Sequence, residues 1–194
     1  RNIHPNPIVQ FEKWLGNAIK AEVLHPTAMS LITTALDTFP QSRIVLLKNF
    51  DEAGFTFFTS YNSEKAKSIS NNHAVGIHFF WPEMERQIRI SGFAEKTSAK
   101  ISDDYFKSRP LLSQIAAVVS NQSENISSRK YLENLFDTYR KELGNSLPQR
   151  PKDWGGYIVK PVKIEFWQGR ENRLHDRILY TKQNKDWKIS RLAP

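Results

Sequence analysis

The sequence predicts an α+β fold that is mainly β: an antiparallel barrel or sandwich with flanking helices. Short runs of β-branched and aromatic residues follow one another between positions 28 and 97. The connections between them are brief turns, whereas parallel strands need crossovers of roughly a dozen residues or more. Helical periodicity is confined to the N-terminal segment, a short stretch after Asn62 and the region after Ser102.

Over residues 7–23, Ile8, Phe11, Trp14, Leu15, Ile19 and Val23 recur at helical spacing. Residues 1–23 are therefore expected to form an N-terminal helical segment packed on the body, ended by His25-Pro26. Residues 28–36 read as a strand, and 37–42, containing Pro40, as a turn. Arg43, Ile44, Val45, Leu46, Leu47 and Lys48 form a second strand with an apolar middle and basic ends, the pattern of a buried strand whose ends emerge at a polar site. Arg43 and Lys48 are then expected on opposite faces. A hairpin turn over 49–54 leads to the strand 55–59, and Ser63 is expected to cap a short helix containing Lys65. Such a helix start with lysines can hold phosphate, although the same pattern is common elsewhere.

Residues 74–80 form the next strand, 81–84 a turn and 85–97 a long strand. Ser102, Asp103 and Asp104 are expected to cap a helical region in which Tyr105, Arg109 and Ser113 are four residues apart. Pro110 disfavours helical geometry at Arg109, so a break between two helices is expected there. Ser127-Ser128 should cap the longest helix, to about Leu143, with Tyr131, Leu132, Leu135, Phe136 and Tyr139 as a core or partner-packing stripe. Segments 156–159, 162–168, 173–180 and 187–191 close the fold as strands.

The 194 residues fit one domain, 1–194, by the prior of roughly 100–200 residues per domain. Beginning at Arg1 rather than Met, the sequence is expected to lack upstream residues. With no cysteine, disulfides, thiolate metal sites and cysteine nucleophiles are excluded. No run suits a membrane helix or a signal peptide, and the expectation is a cytoplasmic protein without a membrane partner. The net charge of +8 calls for anionic partners, but no block of about five or six basic residues supports nucleic acid. A Gly-rich nucleotide loop, a nucleophile elbow and closely spaced histidines are all absent, so no metal site is expected.

Residues 164–177 read as a hairpin. In strand geometry Arg173, His175 and Arg177 share one face, which is either a solvated edge or a surface for an anionic ligand.

The stretch Ile164-Glu165-Phe166-Trp167-Gln168 followed, after four residues, by Arg173-Leu174-His175-Asp176-Arg177 resembles the C-terminal signature of pyridoxine (pyridoxamine) 5′-phosphate oxidases. Further matches lie in Arg43 to Lys48, Phe58-Thr59, Lys65-Ala66, Glu85-Arg86-Gln87, Tyr105 to Pro110 with Ser113-Gln114, and Ser120 to Ser123, in the family's order. The resemblance implies a split antiparallel β-barrel homodimer with FMN at the subunit interface, residues 164–194 supplying dimerisation and active-site hairpins. It implies oxidation of pyridoxamine or pyridoxine 5′-phosphate to pyridoxal 5′-phosphate, O2 accepting the electrons and giving H2O2. Arg43 and Lys65 would hold the FMN phosphate, assisted by Thr59 with Phe58 and the main chain at Ile44, Val45 and Leu46. Gln87, Gln122, Ser123, Trp167 and Arg177 would contact the rest of the flavin. Lys48, Tyr105, Arg109 and Ser113 would clamp the substrate phosphate, with Arg173 and His175 over the pyridine ring as the catalytic pair. One departure is Glu64, where the family commonly has arginine; its side chain is expected to point away from the FMN phosphate.

Overall fold

The computed structural model describes residues 3–194; the first two residues of the expected N-terminal segment lie outside it. Helix α1 (Pro7–Lys20) starts where the Asn6 side chain accepts from the Ile8 N–H and Pro7 fills the first turn. It ends at Lys20, short of Val23. There the N–H of Glu22, in the left-handed region at φ 54°, bonds back to Ile19, and that of Val23 to Ala18. Val23 fits the helical period because this reversal returns it to the core, where it is buried.

Among the described residues, nine strands form one wholly antiparallel sheet: β1 (Ala28–Thr34), β2 (Pro40–Leu46), β3 (Asn49–Asp51), β4 (Gly54–Ser60), β5 (Ala74–Trp81), β6 (Arg86–Lys96), β7 (Trp154–Gln168), β8 (Asp176–Gln183) and β9 (Asp186–Leu192). The order is β2-β1-β5-β6-β7-β4-β3, with β8 on the second half of β7 and β9 on β8. The sheet curls so that β2 comes against β4, giving a split barrel. Helix α1 plugs it. Phe11, fully buried, meets Phe50 and Phe55 edge-on at 4.9 Å and Phe79 at 5.2 Å. Each such ring contributes roughly 1.5–3 kcal/mol by leaving water.

Helices α2 (Glu64–Asn71), α3 (Ala99–Ser108), α4 (Leu111–Val119) and α5 (Arg129–Leu143) lie outside the barrel's strand order. Several expectations are corrected. The segments read as separate strands at 156–159 and 162–168 are one strand, β7, which carries one extra residue, Val162, opposite the Ser91/Gly92 step of its partner β6. Strand β2 is not buried: it sits at the end of the ladder, pairing β1 only, and Ile44 is 67% exposed. Ser98, not Ser102, caps α3, accepting from the Ile101 N–H. Ser63 holds the cap position of α2, but its hydroxyl donates to the Ser60 carbonyl instead. Ser128 caps α5 as expected, yet α5 buries no residue, so its stripe is not a core stripe.

Buried Ser102 instead accepts from the Gly156 N–H at 3.1 Å, tying α3 to β7. That approach requires Gly155, where an added Cβ would overlap the Tyr61 hydroxyl and come within 2.7 Å of Ser102 Oγ. Gly155→Ala should therefore cost about 1–3 kcal/mol and lower the thermal midpoint by on the order of 5 °C, read by calorimetry. An unchanged midpoint would mean that the α3–β7 contact is soft.

Candidate active site

A cavity of about 1130 Å³ lies beside the barrel, lined from β2, β4, β7, α2, α3, α4 and α5. It collects Arg43, Ile44, Val45, Leu46, Lys48, Phe58, Thr59, Lys65, Tyr105, Arg109, Ser113 and Gln122. Arg43 and Lys48 were expected on opposite faces but line the same cavity, because β2 ends at Leu46 and Lys48 lies in the connection to β3.

Two donor clusters stand out. In the first, Lys65 Nζ donates to Thr59 Oγ1 at 3.2 Å, and Thr59 donates to Gln122 Oε1 at 3.0 Å. Arg43 donates to Thr33 Oγ1 at 2.7 Å. Burial, and then the positive charge of Arg43, push the Lys65 ammonium down to about 8. Two cations share this pocket with no carboxylate paired to either among the described residues, an arrangement that an anion would complete. Glu64 does not supply it; its carboxylate pairs with Lys67 at 3.1 Å and is largely exposed.

In the second cluster, Pro110 holds Arg109 extended at φ −73° and ψ 151°, breaking α3 from α4 as the sequence predicts. Gln114 Nε2 donates to the Arg109 carbonyl at 2.8 Å, fixing the break. The guanidinium rests on Trp154 at 4.8 Å, and its buried NH1 has no hydrogen-bond partner among the described residues. Burial lowers its pKa from the ordinary arginine value. Lys48, Tyr105 and Ser113 line the same cavity as Arg109. Phe58 stacks on Tyr105 at 3.8 Å, and Trp154 lies nearly parallel to Tyr105 at 6.2 Å. The sequence reading missed Trp154; its signal was an aromatic residue opening a strand just before the Gly155-Gly156 pair. It also missed Leu132 and Phe136 of α5, which line the cavity.

Gln87, Ser123, Trp167, Arg173, His175 and Arg177 are not among the cavity-lining residues. Ser123, at φ 75°, sits near it and accepts from the Glu64 N–H at 3.3 Å. The other five gather around the C-terminal end of β7. Trp167 pairs with Gln87 on one side and Arg177 on the other, and its ring lies 4.7 Å from that of His175. The three-residue basic stripe is corrected. Arg173 belongs to a 3-10 turn (Glu171–Arg173) with φ 60°, and His175 also precedes β8, so of the three only Arg177 is on a strand. His175 Nδ1 accepts from the Arg170 N–H at 3.1 Å, which leaves Nε2 as the ring nitrogen able to donate to a ligand. His78 Nε2 donates to Gln87 Oε1 at 2.9 Å, leaving the Gln87 amide N–H groups to donate elsewhere.

Residues 15–141, more than half of the chain, match the family model described as pyridoxamine 5′-phosphate oxidase. The chain belongs to the pyridoxamine 5′-phosphate oxidase family. Residues 154–194 of this family member match the pyridoxine 5′-phosphate oxidase C-terminal dimerisation region. It is 49% identical over 193 residues to the pyridoxine/pyridoxamine 5′-phosphate oxidase of Nostoc sp., covering 99% of this chain and 90% of the relative. Identity to the enzyme of that name from Hahella chejuensis is 50% over 195 residues, covering 100% and 92%. Among solved structures, PhzG from Burkholderia lata in complex with tetrahydrophenazine-1-carboxylic acid superposes with a TM-score of 0.93 at 30% identity, covering 100% of this chain and 95% of that one. A pyridoxamine 5′-phosphate oxidase-related, FMN-binding protein from Nostoc punctiforme, at 15% identity and TM-score 0.79 with both chains fully covered, shares the fold. No helix among the described residues is long and apolar enough to cross a membrane.

Proposed function

We propose that this chain is a pyridoxal 5′-phosphate synthase, oxidising pyridoxamine and pyridoxine 5′-phosphates with FMN as cofactor and O2 as electron acceptor, with H2O2 as product and, from the amine, NH3 released as water supplies the aldehyde oxygen. The observation that carries it is the unpartnered, buried NH1 of Arg109 in a cavity shared with Lys48, Tyr105 and Ser113. A buried N–H without an acceptor costs about 1–3 kcal/mol, which a bound phosphate oxygen recovers. Each subunit is one domain, 1–194.

Both parts of FMN have suitable donors. Its phosphate suits the Arg43, Lys65 and Thr59 cluster, beside Phe58 and the Ile44, Val45 and Leu46 backbone. Gln87, Gln122, Ser123, Trp167 and Arg177 suit its ring and ribityl chain through amide, hydroxyl and guanidinium hydrogen bonds. Lining the cavity are Arg43, Lys65 and Gln122, while Gln87, Trp167 and Arg177 lie outside it. A homodimer with FMN at the subunit interface unites the halves, and the dimerisation region at 154–194 supports that arrangement. When bound, FMN supplies the acceptance of hydride from substrate and its passage to O2.

The chain's own residues then orient and polarise. Lys48, Tyr105, Arg109 and Ser113 hold the substrate by a phosphate that does not react, so binding energy is spent on positioning. Arg173 and the Nε2–H of His175 supply donors beside the pyridine ring. The aromatic wall of Phe58, Tyr105 and Trp154 limits water on that side.

The test is flavin uptake by the purified chain, followed by peroxide and pyridoxal phosphate formation from pyridoxamine 5′-phosphate. A colourless protein that takes up no FMN overturns the proposal. The PhzG likeness supports a second reading, oxidation of an unphosphorylated tricyclic acid. Turnover of such an acid without turnover of the phosphorylated pyridine would select it.

The low Lys65 pKa makes flavin affinity pH-dependent. Below about 8 the free protein already carries the Lys65 charge that a phosphate needs. Above it the ammonium must be reprotonated on binding, so affinity should fall by up to about tenfold per pH unit. Flavin titrations across this range check it. Lys65→Arg should flatten the profile, and a flat wild-type profile contradicts the assignment.

A further inference from the structure

Glu165 is a buried carboxylate on β7 that the proposed chemistry does not use. Its strand neighbours are Arg89 on β6 and Leu179 on β8. One carboxylate oxygen accepts from Arg177 Nε at 2.8 Å, and the other lies 3.6 Å from Arg89 NH1. Arg177 donates a second bond, from NH1 to the Ala193 carbonyl at 2.9 Å. A guanidinium is a rigid plane, so bonds from two of its nitrogens fix both its position and its tilt. Among the described residues no protein acceptor takes the remaining NH2, which stays available to a ligand.

We propose that Glu165 is a positioning residue that holds the Arg177 guanidinium in place to meet the flavin, while Arg89 balances the second half of its charge. The proposal rests on the FMN reading above. Without the carboxylate, Arg177 and Arg89 are two cations with no buried anion between them, and the Arg177 side chain regains its rotamer freedom. Arg177 must then be ordered by the ligand, which lowers affinity. A purely structural ion pair behaves differently, since its loss lowers stability whatever residue stands at 177.

A double-mutant cycle on FMN affinity, read by flavin fluorescence at a pH below 8, separates these. Glu165→Gln is expected to weaken FMN binding by about tenfold in the wild-type background. In an Arg177→Gln background the same change should cost less than about twofold, because the group through which it acts is gone. Arg89→Gln, which leaves the Glu165–Arg177 bond intact but removes the balancing charge, should weaken FMN binding less than Glu165→Gln does. Should Glu165→Gln fail to fold, Glu165→Asp serves in the same cycle, keeping the charge but shortening its reach. Equal losses in both backgrounds, or no loss in either, overturn the proposal. A wild-type protein that binds no FMN removes the underlying reading instead.

Discussion

Arg109→Ala will raise the KM for pyridoxamine 5′-phosphate by on the order of 100-fold while leaving the FMN dissociation constant within about threefold of wild type. The size follows from the local structure. Pro110 and the Gln114 side chain fix the backbone at Arg109, and Trp154 fixes the guanidinium plane at 4.8 Å. The side chain is therefore ordered before the substrate arrives, and little of its interaction with phosphate is lost to ordering. Its NH1 lacks a protein partner among the described residues, so a phosphate oxygen that bonds it displaces no bond within the protein. The flavin phosphate has a separate cluster, Arg43 with Lys65, and should not register the change. Arg109→Lys keeps the charge but loses the bidentate fork and the stacking, and should fall between the two. Steady-state kinetics and a flavin titration on the same preparations measure both quantities. Equal losses of substrate and flavin affinity would mean that the two clusters serve one ligand.

What was legible in the sequence divides along physical lines. The break at Arg109 could be read because proline acts on its immediate neighbour, whatever the fold around it. The antiparallel character could be read because short turns exclude parallel crossovers. Strand β2 was misread as buried, since Ile44, Val45, Leu46 and Leu47 look the same whether a strand is covered by its own chain or left at the edge of a monomer's sheet. The joining of two strand segments into β7 across Pro161 was hidden because proline ordinarily interrupts a strand. Here it falls beside the Ser91/Gly92 irregularity, where the ladder is already broken. Arg173 was misplaced because alternation assumes extended backbone, whereas Asn172 and Arg173 both take positive φ. Glu165 was the least visible: alternation places it away from Ile164 and Phe166 but says nothing of the arginines that β6 and β8 bring to it.

Lys65→Met should weaken FMN binding by about 100-fold, leave riboflavin binding unchanged, and raise the thermal midpoint of the flavin-free protein. The first two outcomes follow from placing Lys65 at the phosphate, which riboflavin lacks. The third follows from the direction of the pKa shift. Lys65 falls from 10.5 to about 8 on folding, so at neutral pH the folded, flavin-free protein carries a charge that its surroundings disfavour. The cost is fully present below about pH 8 and disappears as the pH rises towards 10.5, the value in the unfolded chain. Methionine fills similar space without a charge and removes that cost at neutral pH. A bound phosphate reverses the balance, because Lys65 and Arg43 then face an anion instead of each other. The variant should accordingly melt above wild type without flavin and below it at saturating FMN for wild type. Calorimetry in both states, alongside titrations with FMN and riboflavin, reads the crossing. A variant less stable than wild type in both states would mean that Lys65 is held by its bond to Thr59 as a structural element, and not in readiness for a phosphate.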